Sequence, residues 1–121
     1  MKILLVDDDA FLRDMYATKF VELKHTIDIA ESGEVALTKL HENNYDVILM
    51  DVIMPGLSGI DLLRQIKAEK LGGKPACIVL SNQSEESDRS VAFKEGALGY
   101  IVKAEHIPSE VVAEVIKLVG K

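Results

Sequence analysis

Apolar residues along this chain fall into two alternating patterns. Short, nearly unbroken apolar runs occupy residues 3–6, 27–30, 47–50, 76–80 and 100–102. Between them, apolar positions recur at three- and four-residue intervals: Leu12, Met15, Tyr16, Phe20 and Leu23, then Ala36, Leu37 and Leu40, then Ile60, Leu63 and Ile66. The first pattern suits strands covered on both faces, the second amphipathic helices. Asp9, Ser32 and Ser58 stand where side-chain oxygens cap helix N-termini. The spacing predicts a fourth helix from near Ser84 to Gly96, and a fifth after Pro108. That last helix carries Val111, Val112, Val115, Ile116, Leu118 and Val119, an arc wider than one core-facing stripe needs. Deep burial accounts for the width; a partner-binding surface is the alternative.

Five strands alternating with five helices predict an α/β fold: a doubly wound (βα)5 three-layer sandwich around a parallel sheet. No linker, repeat or low-complexity tract interrupts the pattern, so residues 1–121 are expected to form a single domain with no output domain. In such sheets the ligand lies beyond the carboxyl ends of the strands. The residues at those ends are therefore informative. Asp7 and Asp8 follow the first run, Asp51 the third, Ser81 the fourth and Lys103 the fifth.

If the first and third strands are parallel neighbours, three carboxylates converge at one sheet edge. Like charges at close range disfavour one another's ionised forms, so the arrangement calls for a cation. A divalent metal bridging around a reactive Asp51 is the economical reading. Mg2+ suits an all-oxygen site with few carboxylates, here Asp7, Asp8, Asp51 and the backbone carbonyl of Val52. The chemistry that fits is phosphoryl transfer to Asp51, with Lys103 and the Ser81 hydroxyl holding phosphoryl oxygens; such catalysis is mostly positioning and electrostatics. Asp9 is assigned to helix capping instead.

Composition narrows the setting. A 48% hydrophobic content is enough for one packed core. No apolar stretch approaches the roughly 20 residues a membrane helix needs, and Asp7, Asp8 and Asp9 break the amino-terminal apolar segment too early for a secretory signal. The lone Cys77 cannot form an internal disulfide, and within an apolar run it is expected to pack as a small hydrophobe. A cytoplasmic setting is expected. The formal net charge of −6 argues against direct nucleic-acid binding. His25, His41 and His106 are scattered and are given no site role.

The acidic set has a specific context. The stretches Lys2, Ile3, Leu4, Leu5, Val6, Asp7, Asp8, Asp9 and Asp51, Val52, Ile53, Met54, Pro55, Gly56, Leu57, Ser58, Gly59 are followed by Ile78, Val79, Leu80, Ser81 and by a segment from Glu95 to Tyr100, Ile101, Val102, Lys103. In this order and spacing the chain resembles the receiver domains of two-component response regulators. The resemblance implies a flavodoxin-like sheet with strand order 2-1-3-4-5. It implies that Asp51 is the phosphoacceptor, supplied by a histidine kinase or phosphotransfer protein. Asp8 would bind Mg2+ directly, Asp7 mainly through water, and the Val52 carbonyl would add a ligand. Ser81 would bond the phosphoryl group, Lys103 would pair with Asp51 or its phosphate, and Tyr100 would turn inward with Ser81 as a switch. Output would leave by protein contact through the fourth helix, fifth strand and fifth helix, from a monomer or a phosphorylation-dependent dimer.

Three departures from the family pattern carry expectations of their own. Lys103 precedes Ala104 where relatives have a cis proline; a cis bond to alanine would cost roughly 2.5–4 kcal/mol, so a trans bond and a displaced Lys103 are expected. Asn82 follows Ser81 where relatives carry a smaller residue, which should narrow access for small phosphodonors. Ile53 and Gln83, each two residues past a site residue, flank the path of the hydrolytic water, and an apolar Ile53 should slow hydrolysis of the phosphoaspartate. Other readings compete. A phosphatase of the haloacid dehalogenase type would want an acid where Ile53 stands, and a flavodoxin-like nucleotide binder a phosphate-cradling loop where three aspartates stand. A degenerate receiver working as a phosphorylation-independent interaction module is the alternative closest to the leading reading.

Overall fold

The computed structural model describes residues 1–82 and 85–120. Its elements alternate as the pattern predicts: β1 (Lys2–Val6), α1 (Ala10–Glu22), β2 (Thr26–Ala30), α2 (Gly33–Glu42), β3 (Val47–Met50), α3 (Gly59–Glu69), β4 (Ala76–Ser81), α4 (Glu86–Lys94), β5 (Gly99–Val102) and α5 (Pro108–Val119). All strand pairings are parallel and the order is β2-β1-β3-β4-β5. Consecutive connections run one way from β1 to β2 and the other way from β3 onward, so the order reverses between β1 and β3. That reversal opens a crevice beyond the carboxyl ends of these two strands.

The strands are apolar at nearly every position because both faces of the sheet are covered. Alternate residues Ile3, Leu5, Val47, Leu49, Ile78, Leu80 and Ile101 pack with Tyr16 and Phe20 of α1 and with Val111, Val112 and Val115 of α5. Their neighbours Leu4, Val6, Ile48, Met50, Val79 and Val102 face the other way, against Leu40 of α2 and Leu62, Leu63 and Ile66 of α3. The wide apolar arc of α5 is thus spent on the core. Val111, Val112 and Val115 are buried, and Ile116, Leu118 and Val119 pack half-buried against the same cluster. Cys77 is buried at the start of β4, as expected.

The expected caps form. Side-chain oxygens of Asp9, Ser32 and Ser58 accept hydrogen bonds from the backbone N–H groups of Leu12, Val35 and Asp61. The fourth helix runs from Glu86, with the expected start at Ser84 outside the described residues, to Lys94, and Glu95 caps it before Gly96 turns the chain with a φ of 107°, the expected C-terminal glycine. One detail differs from the sequence expectation. Ser81 is the last residue of β4, paired with Val102, because the ladder with β5 continues one residue past the apolar run. Short 3-10 turns at Leu71–Gly73 and Lys103–Glu105 carry no hydrophobic period of their own and could not be anticipated from it. Among the described residues no helix is long and apolar enough to cross a membrane.

Candidate functional site

Strand register brings the polar strand ends together. Val6 pairs with Met50, so Asp7 and Asp51 each stand one residue past the end of adjacent strands, and the Asp51 N–H donates to the Val6 carbonyl at 3.0 Å. Ser81 pairs with Val102, which places Lys103 one residue beyond β5 on the same edge. Asp7 is 1% and Asp51 9% exposed, while Asp8 is open to solvent. One carboxylate oxygen from each of Asp7, Asp8 and Asp51 falls within a 4.8 Å cluster. An all-carboxylate donor set of this kind fits a hard divalent cation.

Lys103 answers part of the negative charge. Its Nζ donates to Asp7 Oδ2 at 2.8 Å and to Asp51 Oδ2 at 2.9 Å. The other oxygens accept from backbone: Asp7 Oδ1 from the Asp9 N–H at 2.9 Å, and Asp51 Oδ1 from the Ile53 N–H at 3.2 Å. The expected displacement of Lys103 does not occur. The bond to Ala104 is trans, and the 3-10 turn that Lys103 begins leaves its long side chain able to reach back over the edge.

Burial would lower the lysine's pKa, but the two carboxylates outweigh it and raise it. Burial raises the pKa of Asp51, and the hydrogen bond and charge of Lys103 offset only part of that rise. The single ammonium is stabilised by two carboxylates at once, whereas the share of it that Asp51 receives does not make up for the burial of its charge.

The remaining sequence candidates line the same edge. A cavity of about 270 Å³ opens between Asp51, Ile53, Ser81 and Asn82. Ser81 is buried, Ile53 is 60% exposed at the lip and Asn82 is exposed. Tyr100 is turned inward at 8% exposure; burial raises its pKa, against a hydrogen bond with the Ser81 side chain. The Arg89 guanidinium lies 5.1 Å from the centre of the Tyr100 ring. Gln83 lies outside the described residues. The Val52 carbonyl accepts the Gly59 N–H at 2.9 Å, which ties it to the start of α3 and leaves its second lone pair for a ligand.

Two residues near the site escape a strand-end argument. The Arg13 guanidinium donates to the Asp7 carbonyl at 3.0 Å. Tyr16 is packed in the core, where burial raises its phenol pKa and the charges of Lys103, Asp7 and Asp51 act on it. Helical spacing was the available signal: Arg13 is one turn past the capping Asp9, and Tyr16 one turn further.

The model of the response regulator receiver domain matches residues 3–115. The chain belongs to that family. As a receiver it is 41% identical over 120 residues to the transcriptional regulatory protein ResD of Bacillus subtilis, covering 99% of this chain and 48% of ResD. It is 37% identical over 105 residues to the chemotaxis protein CheY of Pseudomonas aeruginosa, covering 85% of this chain and 84% of CheY. Among solved structures, the receiver domain of a Francisella response regulator superposes with a TM-score of 0.87 at 31% identity, over 98% of this chain and 95% of that one. The receiver therefore spans about half the length of ResD and most of the length of CheY.

Proposed function

We propose that Asp51 is the phosphoacceptor of this receiver and takes its phosphoryl group from a phosphohistidine of a histidine kinase or phosphotransfer protein. The observation that carries this reading is the Lys103 ammonium clamped between Asp7 and Asp51 at the rim of the β1/β3 crevice, beside a cavity with room for a phosphoryl group. An Asp51 oxygen attacks phosphorus, the P–N bond to the donor imidazole breaks, and the imidazole departs with the electron pair and is protonated. The Lys103 ammonium and the Ser81 hydroxyl hold oxygens of the transferred group and orient it. Mg2+, when held by Asp7, Asp8 and Asp51, supplies positive charge against the phosphoryl oxygens.

Residues 1–121 act as one receiver unit in the cytoplasm, and the message leaves through protein contacts rather than through nucleic acid. The side formed by α4, β5 and α5 is assigned that role, and α4 and the turn into β5 carry the exposed apolar residues Val91, Phe93 and Leu98. Drawing Ser81 toward a phosphoryl group would break or reshape its bond with Tyr100, which links the site to that side through a shift between two packings.

The test is phosphorylation with phosphoramidate, acetyl phosphate and a phosphohistidine-bearing transfer protein, each with Mg2+, followed by intact mass. Wild type should gain one phosphoryl group and Asp51→Asn none. An unchanged wild-type mass with all three donors would instead support a phosphorylation-independent interaction module.

A further inference from the structure

A second concave site lies at the opposite edge of the sheet, between α3 and the carboxyl end of α4. Its volume is about 360 Å³, within the range of small-molecule sites. Leu63, Ile66, Pro75 and Cys77 give it an apolar lining. Leu63, Ile66 and Cys77 are buried, so the lining is sunk below the surface.

The charge around this groove runs against that of the molecule. The chain carries a net charge of −6, yet Lys67, Lys70 and Lys74 line the groove and are exposed. Among the described residues none of the three pairs with a carboxylate. The acid that lines the groove, Glu95, is held by Arg64, whose Nε lies 3.1 Å from its carboxylate. The unanswered charge at the rim is therefore positive.

The wall carrying two of these lysines is fixed. Leu71 is buried, and the Tyr45 N–H donates to the Gly72 carbonyl at 2.9 Å. Lys70 and Lys74 themselves sit at φ values of 54° and 61°, a left-handed conformation that glycine adopts without strain and lysine does not.

We propose that this groove binds a small amphipathic anion, its apolar body over Cys77 and its anionic head among Lys67, Lys70 and Lys74. A macromolecular partner fits less well. Among the described residues, none of the large exposed apolar side chains (Phe11, Val21, Leu23, Ile53, Val91, Phe93, Leu98, Ile107) lines the groove. The apolar surface is inside the concavity rather than spread around it. Cys77 opens β4 and Ser81 closes it, so this site and the acidic edge share a strand but no residue. Binding here therefore does not depend on the chemistry proposed for Asp51.

The experiment is an amide-resolved NMR titration of the intact chain with three probes of similar body: 1-naphthoate, 1-naphthyl phosphate and the neutral 1-naphthalenemethanol. The expected result is saturable shifts at Leu63, Ile66, Cys77 and Gly96 with at least one anionic probe, and at least about fivefold weaker binding of the alcohol. The tighter of the two anions identifies the head group as carboxylate or phosphate. The double variant Lys70→Gln/Lys74→Gln changes only exposed side chains and should keep the spectrum elsewhere while weakening the anion by about fivefold or more. Equal binding of anion and alcohol, an affinity unmoved by the double variant, shifts centred elsewhere, or no saturation by about 5 mM would each overturn the proposal.

Discussion

At Asp51 three influences meet: burial, the shared Lys103 ammonium, and the neighbouring Asp7 carboxylate. Burial leads, so the folded protein holds this carboxylate less willingly in its charged form than the unfolded chain does. Its folded pKa lies above its unfolded one. The folded state then binds the proton more readily between those values, so the cost of the charge is full above the raised pKa, shrinks as pH falls through it and is gone below the unfolded value. Asp51→Asn removes the charge while an amide oxygen can still accept from Lys103. The variant should be more stable than wild type near neutral pH, and the gap should close toward acid. Urea unfolding in Mg2+-free buffer across pH checks both statements; a gap independent of pH would contradict them. Ile53 offers a second residue-scale test. It is exposed at the lip of the cavity beside Asp51, where an apolar side chain obstructs an approaching water. Ile53→Asn should shorten the phosphoaspartate lifetime severalfold, followed by the decay of the phosphorylated mass, and an unchanged lifetime would remove Ile53 from the account.

At the scale of elements, the site depends on where strands stop and how the next helix begins. Helix α3 starts against the loop that carries Asp51. A Cβ added at Gly59 would collide with the Asp51 carbonyl and come within 2.9 Å of the Val52 Cα, and both obstacles are backbone. Gly59→Ala should therefore cost about 1–3 kcal/mol and also slow phosphorylation, because relief of the clash must move the residue that precedes the loop. Thermal unfolding together with phosphorylation rate would show it; a loss of stability with an unchanged rate would mean the loop gives way elsewhere. The strands and helices were readable because burial on both faces writes unbroken apolar runs and one-sided burial writes a helical period. The gathering of Asp7, Asp51, Ser81 and Lys103 was readable for a related reason, since polar residues at the ends of parallel strands have one edge to share. Less was legible where no period exists. The 3-10 turn that lets Lys103 reach both carboxylates, the bond from Gly59 to the Val52 carbonyl, and the guanidinium of Arg13 over the β1–α1 loop depend on local geometry that side-chain patterning does not record.

Over the whole molecule, Lys103 does with one charge what a divalent ion would do with two. Its ammonium spans from the far side of the sheet, at the end of β5, to carboxylates beyond β1 and β3, and so ties the two halves of the reversed strand order together. The pairing has an electrostatic consequence. A positive charge within 3 Å of both Asp7 and Asp51 opposes the entry of a metal cation, while it also relieves the repulsion that such a cation would relieve. Lys103→Met should expose the competition. Removing the one cation of this buried set costs about 3–5 kcal/mol, because Asp7 and Asp51 are left facing each other without a partner, so the variant should melt well below wild type in Mg2+-free buffer. Added Mg2+ should then stabilise the variant more than wild type. For wild type the expected gain is about 1.4 kcal/mol at a tenfold excess over its dissociation constant, and the variant, having lost the competing ammonium, should reach that gain at lower Mg2+. Asp8→Asn supplies the control, since Asp8 is exposed and touches neither end of the lysine clamp; it should melt near wild type without Mg2+ and lose most of the Mg2+-dependent gain. If Lys103→Met and wild type gain equally from Mg2+, the ammonium and the cation do not compete. The clamp would then be a fastening of the fold, with no bearing on how the acidic edge takes up metal.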